Sequence, residues 1–170
     1  MRRSRNALKG VLCVAAALLC GTAGAFDANG VALGAREADL KKAFPGARCK
    51  ALEWRSDAAD RRCDDSQVGI GEIVGRITFY LKNDAVQAFD VRFETRDFER
   101  MSGFLKSRYG PPGGEGRESI QRKGGKPREI HTLRWEAGGD RAVLTAQLDR
   151  SRAALSVARG DFDEEIYRIR

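Results

Sequence analysis

Between Ile73 and Tyr109 the chain spells out a strand, a turn, a second strand and a helix in unbroken succession. Ile77, Phe79 and Leu81 alternate with Thr78 and Tyr80, and Phe89, Val91 and Phe93 alternate with Asp90 and Arg92. A period of two belongs to a half-buried β-strand, whose successive side chains point to opposite faces. Asn83-Asp84 supplies the turn between the two runs. Phe98, Met101, Leu105 and Tyr109 then recur every three or four residues. That spacing is one stripe of a helix over 97–109, started at Thr95 or Arg96 and stopped by Gly110-Pro111-Pro112. A hairpin and a helix that each expose one apolar face remove both from water by packing together.

The flanking segments extend this plan. Ala35 to Phe44 reads as a short helix ended by Pro45-Gly46, with Leu33, Leu40, Ala43 and Phe44 on its apolar side. Cys49 to Trp54 reads as extended, and Arg55 to Asp65 as a dense run of charge. From 110 to 128 the composition shifts to glycine, proline and charge, the mark of a loop, with Ser119 to Arg122 as one more candidate strand. His131, Leu133 and Trp135, then Ala142, Leu144, Ala146 and Leu148, then Ala153, Leu155 and Val157 give a three-strand meander turned at Gly138-Gly139-Asp140 and at Asp149 to Ser151. Asp161 and Glu164 have capping-box spacing for a last short helix running to Arg170, with Phe162, Ile166 and Ile169 on one side. Antiparallel succession with few helices predicts an α+β fold: one antiparallel sheet of about five to six strands with two main helices packed on one face.

The first 25 residues read differently. Arg2, Arg3, Arg5 and Lys9 form a basic start, Val11 to Cys20 a short apolar core, and Ala23-Gly24-Ala25 a small-x-small cleavage site. This is the pattern of a cleavable secretory signal peptide, which leaves residues 26–170 as a single α+β domain in the periplasm or outside the cell. A retained anchor needs about 20 apolar residues, twice what is present. A lipoprotein signal places a small residue before the modified cysteine, whereas Leu12 precedes Cys13 and Leu19 precedes Cys20. Arg2-Arg3 is followed by Arg5 and Asn6 where twin-arginine signals carry apolar residues, so the general secretory route fits better.

Charge and cysteine content follow from that division. The full chain carries +7, but four of its 31 basic residues and none of its 24 acidic ones lie in the signal, leaving +3. A mild excess of this kind is not the basic footprint of a nucleic-acid binder. Two of the four cysteines leave with the signal, and Cys49 and Cys63 remain in a compartment that permits disulfides. The expected bond stabilises by about 3 kcal/mol through loop closure. Their spacing is not that of a Cys-x-x-Cys redox pair, and the single histidine is remote in sequence.

The stretch from Leu33-Gly34-Ala35-Arg36-Glu37 through Ala43-Phe44-Pro45-Gly46 resembles the glycine-helix-proline opening of SmpA/OmlA-type envelope lipoproteins and of related β-lactamase-inhibitor-protein-like domains. Phe98 to Pro111, ending Arg108-Tyr109-Gly110-Pro111, is similar to the helix and Tyr-Gly-x-Pro exit of many uncharacterised exported bacterial proteins. The resemblance implies a non-catalytic envelope adaptor or inhibitor with a helix-backed antiparallel sheet. The chain departs from that pattern in lacking a lipobox and in carrying a disulfide loop.

Chemistry-bearing residues are sparse. His131 shares a strand face with Leu133 and Trp135, and no nearby carboxylate or nucleophile in sequence marks it for acid-base work. Asp57, Asp60, Asp64 and Asp65 lack the spacing of a calcium loop and are interspersed with Arg55, Arg61 and Arg62, which suits solvated ion pairs. Gly113-Gly114-Glu115-Gly116 lacks the Lys-Ser/Thr of a phosphate-binding loop. The candidate contacts are Trp54 and Arg55, residue types common at interfaces, and the basic cluster Arg117, Arg122, Lys123, Lys126 and Arg128 around a Gly124-Gly125 turn. The expected function is an exported binding or adaptor module without catalytic activity, cofactor or metal, whose partner is an envelope protein or an anionic polymer. Two alternatives are an exported carboxylate-dependent hydrolase and a protein docking on anionic membrane through residues 117–128.

Overall fold

The computed structural model describes residues 26–121, 124, 125 and 127–166. Residues 1–25, where a signal peptide is expected, Arg122, Lys123, Lys126 and the last four residues, Ile169 among them, lie outside the described residues. Among the described residues no helix is long and apolar enough to cross a membrane.

Ten strands and three α-helices follow one another. A two-stranded hairpin, β1 (Asp27–Ala28) and β2 (Val31–Ala32), precedes α1 (Glu37–Ala43), and then come β3 (Arg48–Ala51), β4 (Arg61–Ile70), β5 (Ile73–Lys82) and β6 (Ala85–Phe93). Helix α2 (Phe98–Tyr109) leads to β7 (Gly114–Ile120), β8 (Arg128–Ala137), β9 (Asp140–Gln147), β10 (Arg152–Arg159) and α3 (Phe162–Glu165). Eight strands form one antiparallel sheet in the order β3-β4-β5-β6-β10-β9-β8-β7. It consists of two four-stranded meanders joined where β10 pairs with β6. The sheet is thus larger than the five to six strands expected.

The strands beyond that number are β4, which the pattern does not signal, and β7, of which only the end, Ser119 and Ile120, falls in the candidate strand Ser119 to Arg122. The first half of strand β4 falls inside the charged run 55–65. Its inward residues Cys63, Val68 and Ile70 are buried, but a bulge between Asp65 and Val68 breaks their alternation. Strand β7 replaces part of the expected 110–128 loop. It is an edge strand exposed along nearly its whole length, so it has no apolar face to announce it and is held by its ladder with β8.

The hairpin of β5 and β6 turns at Asn83 (φ 49°) and Asp84 (φ 64°), two left-handed residues as a type I′ turn requires. Its inward face carries Ile77, Phe79, Leu81, Phe89, Val91 and Phe93, all buried. These join Leu133, Trp135, Leu144, Leu155 and Val157 from the second meander in one core, closed from above by Leu40 and Phe44 of the α1 region and by Phe98, Met101 and Leu105 of α2. Both main helices therefore cover the same face. The Phe44 and Phe79 rings meet edge to face at 5.0 Å, which seats α1 over β5. Because β6 lies at the centre and β7 at the edge, α2 must cross the sheet, and it does so over β8. There Trp135 Nε1 donates to the Gly110 carbonyl at 2.9 Å, and the Phe98 ring lies 4.9 Å from that of His131.

The disulfide joins Cys49 and Cys63 across directly paired positions of β3 and β4. Smaller differences from the expectation concern Ala43 and Leu148, which are exposed, and Asp161, whose side chain makes no capping bond at α3.

Candidate functional site: the open face of the sheet

Each strand that buries alternate residues under the helices must show the others to the opposite side. At one end that side is sealed. Tyr80, Ala88 and Ala158 form a second apolar cluster with Ala58, Ala59, Phe162 and Ile166, against which Leu52 and Trp54 pack. Trp54 Nε1 donates to the Ile166 carbonyl at 3.0 Å, and Ser56 Oγ donates to that of Glu165 at 3.4 Å. Trp54 is thus half-buried and clamps α3 to the sheet, while Arg55 beside it is exposed.

Beyond the seal the face is polar and open. The register aligns Asp64, Thr78, Asp90 and Ser156 in one row across β4, β5, β6 and β10. Thr78 Oγ1 donates to Asp64 Oδ1 at 2.8 Å, and Ser156 Oγ donates to Asp90 Oδ1 at 2.6 Å. Arg62 Nε lies 3.1 Å from Asp64 Oδ2. Burial holds the Asp90 carboxyl above its ordinary range; the Ser156 hydrogen bond and the charge of Arg92 pull it down, and Asp163 pushes it up. In the next row Arg76 stands directly opposite Arg92.

Two shallow depressions occupy this face. One, about 840 Å³, is lined by Arg48, Lys50, Arg62, Asp64, Thr78 and neighbours; the other, about 630 Å³, by Val74, Glu94, Gln147, Arg152 and neighbours. Ser66, Arg76 and Arg92 line both. The exposed Val74 is the one large apolar side chain standing out of this polar lining.

The remaining candidate residues are dispersed. Arg128 begins β8, half-buried, with its Nε buried and lacking a hydrogen-bond partner among the described residues. His131 is buried under α2, and its Nε2 meets Glu115 Oε1 of β7 at 2.8 Å. That carboxylate, sixteen residues away in sequence, is the partner strand pairing supplies. Its pKa is lowered chiefly by the hydrogen bond to His131. Three of the four aspartates considered for calcium serve separate local bonds: Asp60 accepts from the Asn83 N–H at 3.0 Å, Asp64 from Thr78, and Asp65 from the Gln67 N–H at 3.1 Å. Among the described residues Glu37, Cys49 and Cys63 bring potential metal-binding atoms within 4.8 Å of one another, but the disulfide consumes both sulfurs. Glu37 is instead held ionised by hydrogen bonds from Lys41 and Arg61.

Sequence reasoning passed over Arg48, Arg62, Arg76, Asp90 and Arg92, although the last two stand in its clearest strand as outward residues. A pocket of about 650 Å³ on the other side, lined by Phe26, Arg108, Tyr109 and Trp135, also went unmarked. There Arg108 pairs with Asp27, and the Tyr109 hydroxyl accepts from the Asp27 N–H at 3.2 Å, tying the start of the described chain to α2. No family model, no curated protein and no solved structure matches this chain.

Proposed function

We propose that the protein is an exported, periplasmic binding or adaptor module without catalytic activity, and that it engages an envelope partner through the open face of its sheet. The observation that carries this reading is the asymmetry of the two faces. One is closed by α1, α2 and the β1-β2 hairpin; the other is sealed only at the α3 end and left as two polar depressions. A broad, shallow, polar surface suits recognition of a partner better than enclosure of a small substrate, because catalytic sites depend on excluding water.

The carboxylate-hydrolase alternative would rest on Asp90, whose pKa is raised by burial. Neither depression is lined by Asp90, and its carboxylate accepts from Ser156, so neither depression presents it to a substrate. Docking on anionic membrane through residues 117–128 has less support, since it depends on Arg122, Lys123 and Lys126, which are outside the described residues.

The test is affinity capture from envelope extract with the purified protein as bait. The binding reading expects a defined partner retained over a bead control and displaced by excess untagged protein. Reproducible failure to retain any specific component contradicts it.

A further inference from the structure

We infer that Arg76 and Arg92 act together as an oxyanion-binding pair on the open face, taking a phosphate or carboxylate group of the bound partner. This inference rests on the binding reading above and gives it a chemistry.

The register sets the two residues directly opposite each other on β5 and β6. Directly opposed side chains start about 5 Å apart at Cβ, where like charges destabilise a sheet. The strands cannot relieve this by separating. Gly75, adjacent to Arg76, lies so close to β6 that an added Cβ would stand 2.6 Å from the Arg92 carbonyl oxygen. On this side Arg62 is neutralised by Asp64 and Arg141 by Asp163, whereas Arg48 and Arg152, which each line one of the depressions, make no ion pair among the described residues. Arg76 and Arg92 make no ion pair or hydrogen bond among the described residues. Asp90, two residues from Arg92 on the same face, has its pKa drawn down by the Arg92 charge while it accepts from Ser156, and Asp64, Asp65 and Glu94 line the depressions beside the pair.

Two adjacent guanidinium groups thus remain without an ion-pair partner among the described residues, and they form the wall shared by both depressions. Guanidinium presents a planar fork of N–H donors that matches the oxygen spacing of carboxylate and phosphate. Ser66, which also lines both depressions, adds a hydroxyl donor. An oxyanion between the two forks turns their mutual repulsion into attraction to a common ligand.

The experiment is an NMR titration of the purified protein, following arginine Nε–H signals, with sodium phosphate and separately with sodium citrate, ionic strength being held constant with chloride. Expected is a saturable shift of the Arg76 and Arg92 signals, with the tighter anion identifying the group. R76Q is expected to weaken binding at least tenfold, R141Q less than twofold. R76Q without anion is expected to melt no lower than the parent, because it removes repulsion, whereas loss of a purely structural contact would lower it. Linear, unsaturated shifts with both anions, or saturation undiminished in R76Q, would overturn the inference. If R76Q still captures the same envelope partner while anion binding is absent, this inference alone falls; if nothing is captured at all, the binding reading falls with it.

Discussion

The two faces of the sheet solve the same packing problem in opposite ways. Under the helices, Phe79, Phe89, Leu81, Leu133 and Leu144 are wholly buried and contribute stability through removal of apolar area from water. On the open side, the chain covers the apolar patch around Tyr80 and Ala158 with Trp54, Phe162 and Ile166, and leaves the rest exposed, where hydrogen-bonded pairs such as Thr78–Asp64 and Ser156–Asp90 stand beside the unpaired Arg76 and Arg92. The contrast therefore separates the residues that hold the fold from those free to meet a partner.

Substitutions should respect that division, and the largest effect belongs to the covered face. Phe89→Ala is expected to cost about 3–5 kcal/mol in urea unfolding, while Thr145→Ala on the open side stays within about 0.5 kcal/mol. Comparable losses at the two positions would break the comparison. Cleaving the disulfide, as the Cys49→Ala/Cys63→Ala double variant, should lower stability by about 3 kcal/mol, since it ties edge strand β3 to β4. Unchanged denaturant midpoints would show that the edge holds without it.

Gly75→Ala sits where the faces meet, and its Cβ would overlap the Arg92 carbonyl. A loss of about 1–3 kcal/mol is expected, with amide shifts centred on β5 and β6. Trp54→Phe tests the seal: it keeps most of the ring but deletes the bond to Ile166, at about 1 kcal/mol, and should speed amide exchange in α3.

The finest distinction is a slope. Burial raises the Asp90 pKa, so the folded protein keeps a proton that the unfolded chain has released. Stability attributable to this group therefore falls as pH rises from the ordinary aspartate range through the raised folded value, and is level above it. Asp90→Asn should flatten that segment of the pH–stability curve. Because Glu37 and Glu115, whose pKa values are lowered, slope the other way, the test is the parent curve minus that of Asp90→Asn, and a difference that rises across this window would contradict the burial of this carboxyl.

Much of the covered face was legible in the sequence because burial imposes periodicity. The β5-β6 hairpin, α2 and the β8-β9-β10 meander all announce themselves by apolar spacing. The open face left less trace, since nothing selects its residues by hydrophobicity. Strand β7 is exposed along almost all its length, and β4 hides behind a bulge and a charged run.

The Arg76–Arg92 pairing was readable in principle. A two-residue turn at Asn83-Asp84 opposes Lys82 to Ala85 and, continued without interruption, would set inward Ile77 against outward Asp90. The apolar patterns of the two strands conflict with that register unless one extra residue is inserted. The irregularity lies after the Leu81–Val86 pair, and it is what brings Arg76 opposite Arg92. His131 and Glu115 are different, because their meeting depends on the early part of β7, ahead of the candidate strand Ser119 to Arg122.

The central claim is that the open face, and not the helical one, meets the partner. A photo-crosslinking residue placed at Thr145 on the open side, and in a separate variant at Lys41 on α1, measures this directly in the intact envelope. Covalent adducts from position 145 with few from position 41 are the predicted result. Adducts formed mainly from position 41 would contradict the account.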